Sequence, residues 1–178
     1  MVVKEYSIHE LAEILKGELI RGTTSQSIIK DILIDSRRLI SASRCVFFAL
    51  VSKRNNGHKY IEELYAKGIR HFVVVSLPKD IDNYKKANFI LVKNTLEALQ
   101  SLSIVHRAKY DIPVIGITGS NGKTIVKEWL FQLMCDDKNV VRSPKSYNSQ
   151  IGVPLSVWQM DSQHELGIFE AGISEPDE

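Results

Sequence analysis

The sequence predicts an α/β protein with a small N-terminal α/β domain followed by the first part of a P-loop domain. Three observations predict it. Short runs rich in β-branched and aromatic residues alternate with segments of helical apolar spacing, the order of an α/β domain. One of those strands leads straight into a Gly-Lys-Thr loop and then a helix, as in mononucleotide-binding loops. The length of 178 residues allows one ordinary domain or two small ones and no complete large enzyme.

The elements follow in order. Ser7-Ile8-His9-Glu10 is a capping box: the serine hydroxyl can take an exposed helix N–H while Glu10 reaches back, and Ile8, Leu11, Ala12 and Leu15 follow at helical spacing. Gly17 is expected to end that helix. Residues 28–34 and 45–51 read as strands, with Asp35-Ser36-Arg37-Arg38 between them. A polar stretch ending in Asn56-Gly57-His58 marks a tight turn, and a helix over 60–67 is stopped by Gly68. Residues 71–76 and 88–92 continue as strands, and Asn94-Thr95-Leu96-Glu97 caps a longer helix that ends near Tyr110. The domains are expected at 1–110 and 111–178.

Composition narrows the function. The apolar (44%) and charged (25%) fractions are those of a globular chain, which excludes disordered and fibrous classes. A net charge of +2 supplies no basic field for nucleic acid. Apolar runs such as 45–51 fall far short of the roughly 20 residues a spanning helix needs, and the start carries no signal-peptide core, so a cytoplasmic location is expected. Cys45 and Cys135 form no CxxC, so reduced, buried thiols are expected. His9, His71, His106 and His164 lack metal-ligand spacing and read as structural.

Residues 112–118 form a short apolar run, Gly119-Ser120-Asn121-Gly122-Lys123-Thr124 follows directly, and 125–134 has helical apolar spacing. Glycines let the backbone approach phosphate oxygens, the N–H groups point inward, and the helix adds the positive end of its dipole. Lys123 would neutralise the β and γ phosphates of ATP, and the Thr124 hydroxyl would ligate the magnesium that bridges them. The spacing is a variant, because Ile117 stands where the usual pattern has its first glycine and glycines occupy 116 and 119 instead. Downstream, 139–143 reads as a strand, 154–160 as a helix with Pro154 in its first turn, and 165–171 as a strand bringing Glu170 to its end. A carboxylate at the end of a neighbouring strand is a suitable second magnesium ligand, a hard cation preferring oxygen.

In this loop and the blocks around it, the chain resembles the Mur ligase family of ATP-dependent amide ligases. The most specific block is Gly116-Ile-Thr-Gly-Ser-Asn-Gly-Lys-Thr124, whose glycine positions match the family's loop. Val126-Lys127-Glu128, Tyr147-Asn148-Ser149-Gln150-Ile151-Gly152-Val153-Pro154 and Phe169-Glu170-Ala171-Gly172 look like successive family blocks. Asp35-Ser36-Arg37, Phe47-Phe48-Ala49-Leu50 and Gly57-His58 are similar to the family's uridine-nucleotide-binding domain. The Lys-Glu pair and the block around Asn148 look most like the MurF type, which adds D-alanyl-D-alanine to UDP-N-acetylmuramoyl-tripeptide in peptidoglycan synthesis. Two places depart from the pattern: Asn56 stands where an aspartate is expected, and residues 173–178 continue the Glu-x-Gly block unusually.

The resemblance implies ATP and Mg2+ as cofactors, an acyl-phosphate mechanism, and UDP-N-acetylmuramoyl-peptide and D-alanyl-D-alanine as small-molecule partners. It implies that Ser36, Arg37 and His58 hold the uridine diphosphate portion, with Asn148 near phosphate or substrate. It also implies a fragment, inactive alone, because the family has a fuller central domain and a third domain. Other readings stay open on the residues: a sibling Mur or folate-polyglutamate-type ligase, a P-loop kinase or regulatory nucleotide-binding module, or part of a longer fused protein.

Overall fold

A computed structural model of the chain describes residues 5–20, 28–39, 41–52 and 55–172. These fall into two compact units that divide between Ser101 and Leu102.

The N-terminal unit holds helix α1 (Ile8–Ile14), strands β1 (Glu18–Ile20), β2 (Asp31–Leu33) and β3 (Cys45–Phe48), helix α2 (Ile61–Ala66), strands β4 (His71–Val74) and β5 (Asn88–Leu91), and the start of helix α3 (Thr95–Ala108). The sheet order is β1-β5-β4-β3-β2; β2 to β5 run parallel and β1 pairs antiparallel with β5 at the edge. Every residue of β3 and β4 is buried, which is why their sequences read as continuous apolar runs rather than alternating ones. Phe47, Phe72 and Phe89 stand on adjacent strands at the centre of the core, with Leu64 and Ile69 against them. The capping box on α1 forms as expected: the Glu10 N–H donates to Ser7 Oγ (3.1 Å) and the Ser7 N–H to Glu10 Oε2 (2.7 Å). Asn94 caps α3 through the Leu96 N–H (2.9 Å).

The C-terminal unit contains the end of α3, strand β6 (Val114–Ile117), helix α4 (Lys123–Met134), strand β7 (Val140–Arg142), helix α5 (Gly152–Val157) and strand β8 (Leu166–Glu170). Its three strands lie in the order β6-β8-β7, all parallel. Tyr110, Val141, Met160 and Phe169 form its small core. The α/β class is what the sequence predicted; of the two thiols expected to be buried, Cys45 is buried in β3 and Cys135, just past α4, is exposed.

Several elements differ from the sequence expectation, each for a physical reason. The short edge strand β1 was not anticipated, because three residues on an edge carry too little pattern. Within 28–34 only Asp31–Leu33 joins the sheet, while Ile29 bridges Tyr6 ahead of α1. Gly17 does not supply the turn after α1: Lys16 takes the left-handed conformation (φ 50°), and a Cβ on Gly17 would lie 2.5 Å from Ile90 Cγ2, so the glycine is there for room. The division between the two compact units falls within α3, after Ser101. The last turns of α3 belong with the C-terminal unit, because His106 is fully buried there, its Nε2 3.0 Å from the Met160 carbonyl and its ring 4.6 Å from that of Trp158.

Candidate functional site

Within each unit taken by itself, the residues singled out in the sequence lie at the C-terminal ends of the parallel strands, on the loops that follow them or in the first turn of the next helix. In the C-terminal unit, β6 ends at Ile117 and the chain turns through Gly119 (φ 133°) and Gly122 (φ 77°) into α4. Both angles lie in the region that glycine adopts without steric cost. Gly122 is the N-cap of α4 and carries no side-chain cap, and the first backbone bond back to it comes from Val126 (2.9 Å). The N–H groups of the first turn are therefore left to an external acceptor, at the positive end of a helix of 12 residues. Lys123 folds back so that Nζ donates to the Gly119 carbonyl (2.5 Å), keeping the ammonium over its own loop. Thr118, Gly119, Ser120 and Lys123 face Asn148, Ser149 and Gly172 across an open cleft of about 640 Å³. Asn148 is fixed on the far wall, its carbonyl accepting from the Gly172 N–H (2.7 Å) just past β8.

Glu170 is the last residue of β8, paired in register with Ile117, and is fully buried. The Thr124 hydroxyl donates to Glu170 Oε2 (3.1 Å), so a threonine oxygen in the first turn of α4 meets a carboxylate oxygen at the end of β8. That donor set, a hydroxyl and a carboxylate beside an uncapped helix start, fits a hard divalent cation carried by a nucleotide.

Lys127 was noted in the sequence only as half of a Lys-Glu pair, and the structure gives it a larger place. It is fully buried on α4, with Nζ donating to the carbonyls of Ser143 (2.9 Å) and Lys145 and pairing with Glu170 Oε1 (2.9 Å) and Glu128 Oε1 (3.2 Å). Oε1 has no hydrogen bond, so the 2.9 Å contact is an ion pair lying outside hydrogen-bond direction. One signal could have found it: Lys127 stands four positions after Lys123 and three after Thr124, on the helix face that those two residues present.

In the N-terminal unit, Asp35-Ser36-Arg37 lies after β2. Asp35 Oδ1 accepts the Arg37 N–H (3.1 Å) at the start of a three-residue 3-10 turn, and the guanidinium forks onto the same carboxylate through Nε (2.9 Å) and Nη2 (2.7 Å). The pairing holds the Asp35 carboxyl down at about 2. Arg37 thus has one edge engaged and the rest exposed, while Ser36 is buried in the turn. Gly57 lies against the end of β3, where a Cβ would come within 2.8 Å of the Ala49 backbone. His58, expected to touch ligand directly, spends both ring nitrogens inside the protein. Nδ1 is 2.8 Å from Asn56 Oδ1, and Nε2 accepts from the N–H groups of Val75 (3.1 Å) and Ser76 (3.4 Å). Those contacts require the neutral ring with its proton on Nδ1, and burial pushes the pKa down, which favours the same form. His58 therefore pins the loop after β3 to the loop after β4. Asn56, the departure noted in the sequence, is the residue that orients it.

A parallel-stranded unit with a glycine loop opening a helix at its carboxyl edge defines a protein of the P-loop class. Residues 117–178 match the Mur ligase middle domain. The UDP-N-acetylmuramoyl-tripeptide–D-alanyl-D-alanine ligase of Bacillus subtilis is 31% identical over 169 residues, which cover 94% of this chain and 36% of that protein. Among solved structures, the UDP-N-acetylmuramoylalanyl-D-glutamyl-2,6-diaminopimelate–D-alanyl-D-alanyl ligase of Acinetobacter baumannii superposes with a TM-score of 0.87 at 25% identity, covering 100% of this chain and 39% of its own. The MurF ligase of Thermotoga maritima in complex with ADP superposes with a TM-score of 0.70 at 26% identity, over 83% of this chain and 33% of its own. Residues 117–178 thus match the Mur ligase family, and the relatives to which the chain is similar along 83–100% of its length are of the MurF type. It spans little more than a third of the length of these relatives.

Proposed function

We propose that these residues form the nucleotide-sugar-binding unit and the phosphate loop of an ATP-dependent amide ligase of peptidoglycan precursor synthesis. The product-forming step joins D-alanyl-D-alanine to UDP-N-acetylmuramoyl-tripeptide. The observation that carries the reading is the uncapped start of α4, where Lys123 lines the cleft and the next residue, Thr124, meets the Glu170 carboxylate.

The chemistry follows from charge. The γ-phosphoryl group of ATP passes to the substrate carboxylate, breaking its bond to ADP and forming an acyl phosphate. The incoming amine then attacks the acyl carbon, losing a proton and expelling phosphate. Phosphoryl transfer asks mainly for positioning and charge stabilisation. Loop N–H groups and Lys123 supply these on the phosphates, and Thr124 and Glu170 would hold Mg2+, which neutralises charge on the phosphate oxygens. Asn148, which lines the same cleft as Lys123, is assigned to the phosphate or substrate. In the N-terminal unit, the exposed edge of Arg37 is assigned to the diphosphate. Ser36 and His58 support that site by shaping its loops. The complete reaction is assigned to the full-length family architecture, and these residues by themselves are expected to form no amide. The setting is cytoplasmic, where nucleotide substrates are made; among the described residues, no helix is long and apolar enough to cross a membrane.

Calorimetry on the chain tests the reading from both ends. Magnesium-ATP is expected to bind the wild-type chain and not Lys123→Ala. UDP-N-acetylmuramoyl-peptide is expected to bind saturably, with at least tenfold weaker affinity in Arg37→Ala. Equal ATP affinity in Lys123→Ala removes the phosphate-loop assignment. Absence of sugar-nucleotide binding by a folded chain turns the reading towards a P-loop kinase or regulatory module.

A further inference from the structure

We infer that Lys127 is a positioning residue that divides the two oxygens of Glu170 between protein and metal; the inference rests on the proposed role of Thr124 and Glu170 in holding Mg2+. A carboxylate at a strand end can present either oxygen or both to a cation, and the choice decides where the phosphate-bound metal sits. Here the two oxygens have different partners. Oε1 is taken by the Lys127 ammonium at 2.9 Å, and Oε2 faces the Thr124 hydroxyl at 3.1 Å.

The ammonium is itself tightly held. Its other contacts are the Ser143 and Lys145 carbonyls and Glu128 Oε1, and Lys145 stands in the left-handed region (φ 52°) where its carbonyl reaches Nζ. Glu128 is in turn paired with Arg142 (3.1 Å), whose guanidinium lies 3.4 Å over the Phe131 ring. Ser143 closes the circuit, its hydroxyl accepting the Glu170 N–H at 3.0 Å. One buried cation thus ties the phosphate-loop helix, the segment after β7 and the end of β8 to one carboxylate. A lysine is a point charge and engages one oxygen. An arginine, with a planar fork, would engage both and take the oxygen that faces Thr124.

The test is the ratio of Mn2+-ADP affinity to metal-free ADP affinity, with Mn2+ standing in for Mg2+. It is measured on the whole chain by calorimetry and by the electron paramagnetic resonance spectrum of bound Mn2+. Circular dichroism establishes that each variant is folded. The wild-type chain is expected to prefer the metal complex, and Glu170→Gln to lose that preference. Lys127→Met is expected to lower the ratio at least tenfold. It leaves a buried carboxylate unpaired and can unfold the unit, so Lys127→Arg, which keeps the charge, is the second variant. It is expected to lower the ratio at least threefold and to change the Mn2+ spectrum, although the charge is restored. A purely structural lysine would be rescued by arginine in both readouts. A wild-type ratio and spectrum in Lys127→Arg, or an unchanged or higher ratio in Lys127→Met, overturns the inference while leaving the metal role of Glu170 intact. A folded wild-type chain with no metal preference overturns the metal role first and this inference with it.

Discussion

Lowering the pH from 7 to 4 is expected to weaken the N-terminal unit chiefly through the buried imidazole of His71, and His71→Gln is the change that isolates its share. His71 opens β4, is 2% exposed, and has Nδ1 3.2 Å from Asn88 Nδ2 on β5. The neutral ring accepts from the amide, whereas the protonated ring would present a second donor there. Burial lowers its pKa from 6.5 to about 4. The unfolded chain takes up the proton below 6.5 and the folded unit resists until about 4. The stabilisation is therefore present above pH 6.5 and is lost as pH falls through that window. At ~1.4 kcal/mol per pH unit, the gap between 6.5 and 4 amounts to about 3 kcal/mol, a large share of a small unit's stability. Both tryptophans, Trp129 and Trp158, lie in the C-terminal unit, so indole fluorescence would miss the event. Amide hydrogen exchange at Phe72 and Val73 in β4, corrected for the intrinsic pH dependence, reports it directly. Glutamine keeps an acceptor opposite Asn88 and has no proton to gain, so the fall between pH 6.5 and 4 should flatten in His71→Gln. His58, whose pKa burial also lowers, contributes equally to both proteins. Identical slopes for wild type and variant would refute the reasoning.

Two further outcomes follow from local geometry. Gly57→Ala places a Cβ 2.8 Å from the Ala49 backbone, which a central strand cannot move; a loss of about 1–3 kcal/mol in urea unfolding is expected, and an unchanged midpoint would show that the loop shifts freely. Ser7→Ala removes the hydroxyl that caps Glu10 and should cost about 1 kcal/mol, read as a lower Tm followed by far-ultraviolet circular dichroism; a Tm equal to wild type would mean that burial of Ile8 and Leu11 alone holds α1.

What the sequence reveals depends on how local the cause is. The capping boxes, the glycine loop and the fully buried strands announce themselves because a few neighbouring residues determine them. The three-residue edge strand β1 is set by pairing with β5, far along the chain, and leaves almost no local trace. Gly17 shows the same limit in reverse: its position after a helix suggests a turn, yet the space it leaves is demanded by Ile90 and Val92. At the site, the order strand, loop, helix was legible around Lys123 and Thr124, and so was the strand that ends at Glu170. The distances among Thr124, Glu170 and Lys127 depend on how β6, β8 and the segment after β7 assemble, and no spacing rule contains that. His58 is legible as a polar residue after a turn, but its engagement with Val75 and Ser76 is a tertiary fact.

Helix α4 makes the point most sharply, because its composition and its burial disagree. A reading by hydrophobicity would turn Ile125, Trp129 and Leu133, spaced four apart, towards the sheet and leave Lys127 in water. The structure does the opposite: those three stand exposed and the lysine is fully buried. The cause lies at the helix start. Gly119 and Gly122 fix how the chain leaves β6, and this sets the rotation of α4 about its axis so that Thr124 meets Glu170. Once Thr124 faces the strand ends, the residue three positions on must face them too, and a buried position beside a carboxylate calls for a cation. Lys127 is therefore a consequence of the loop's geometry, and α4 is oriented by its phosphate-binding end rather than by its apolar stripe.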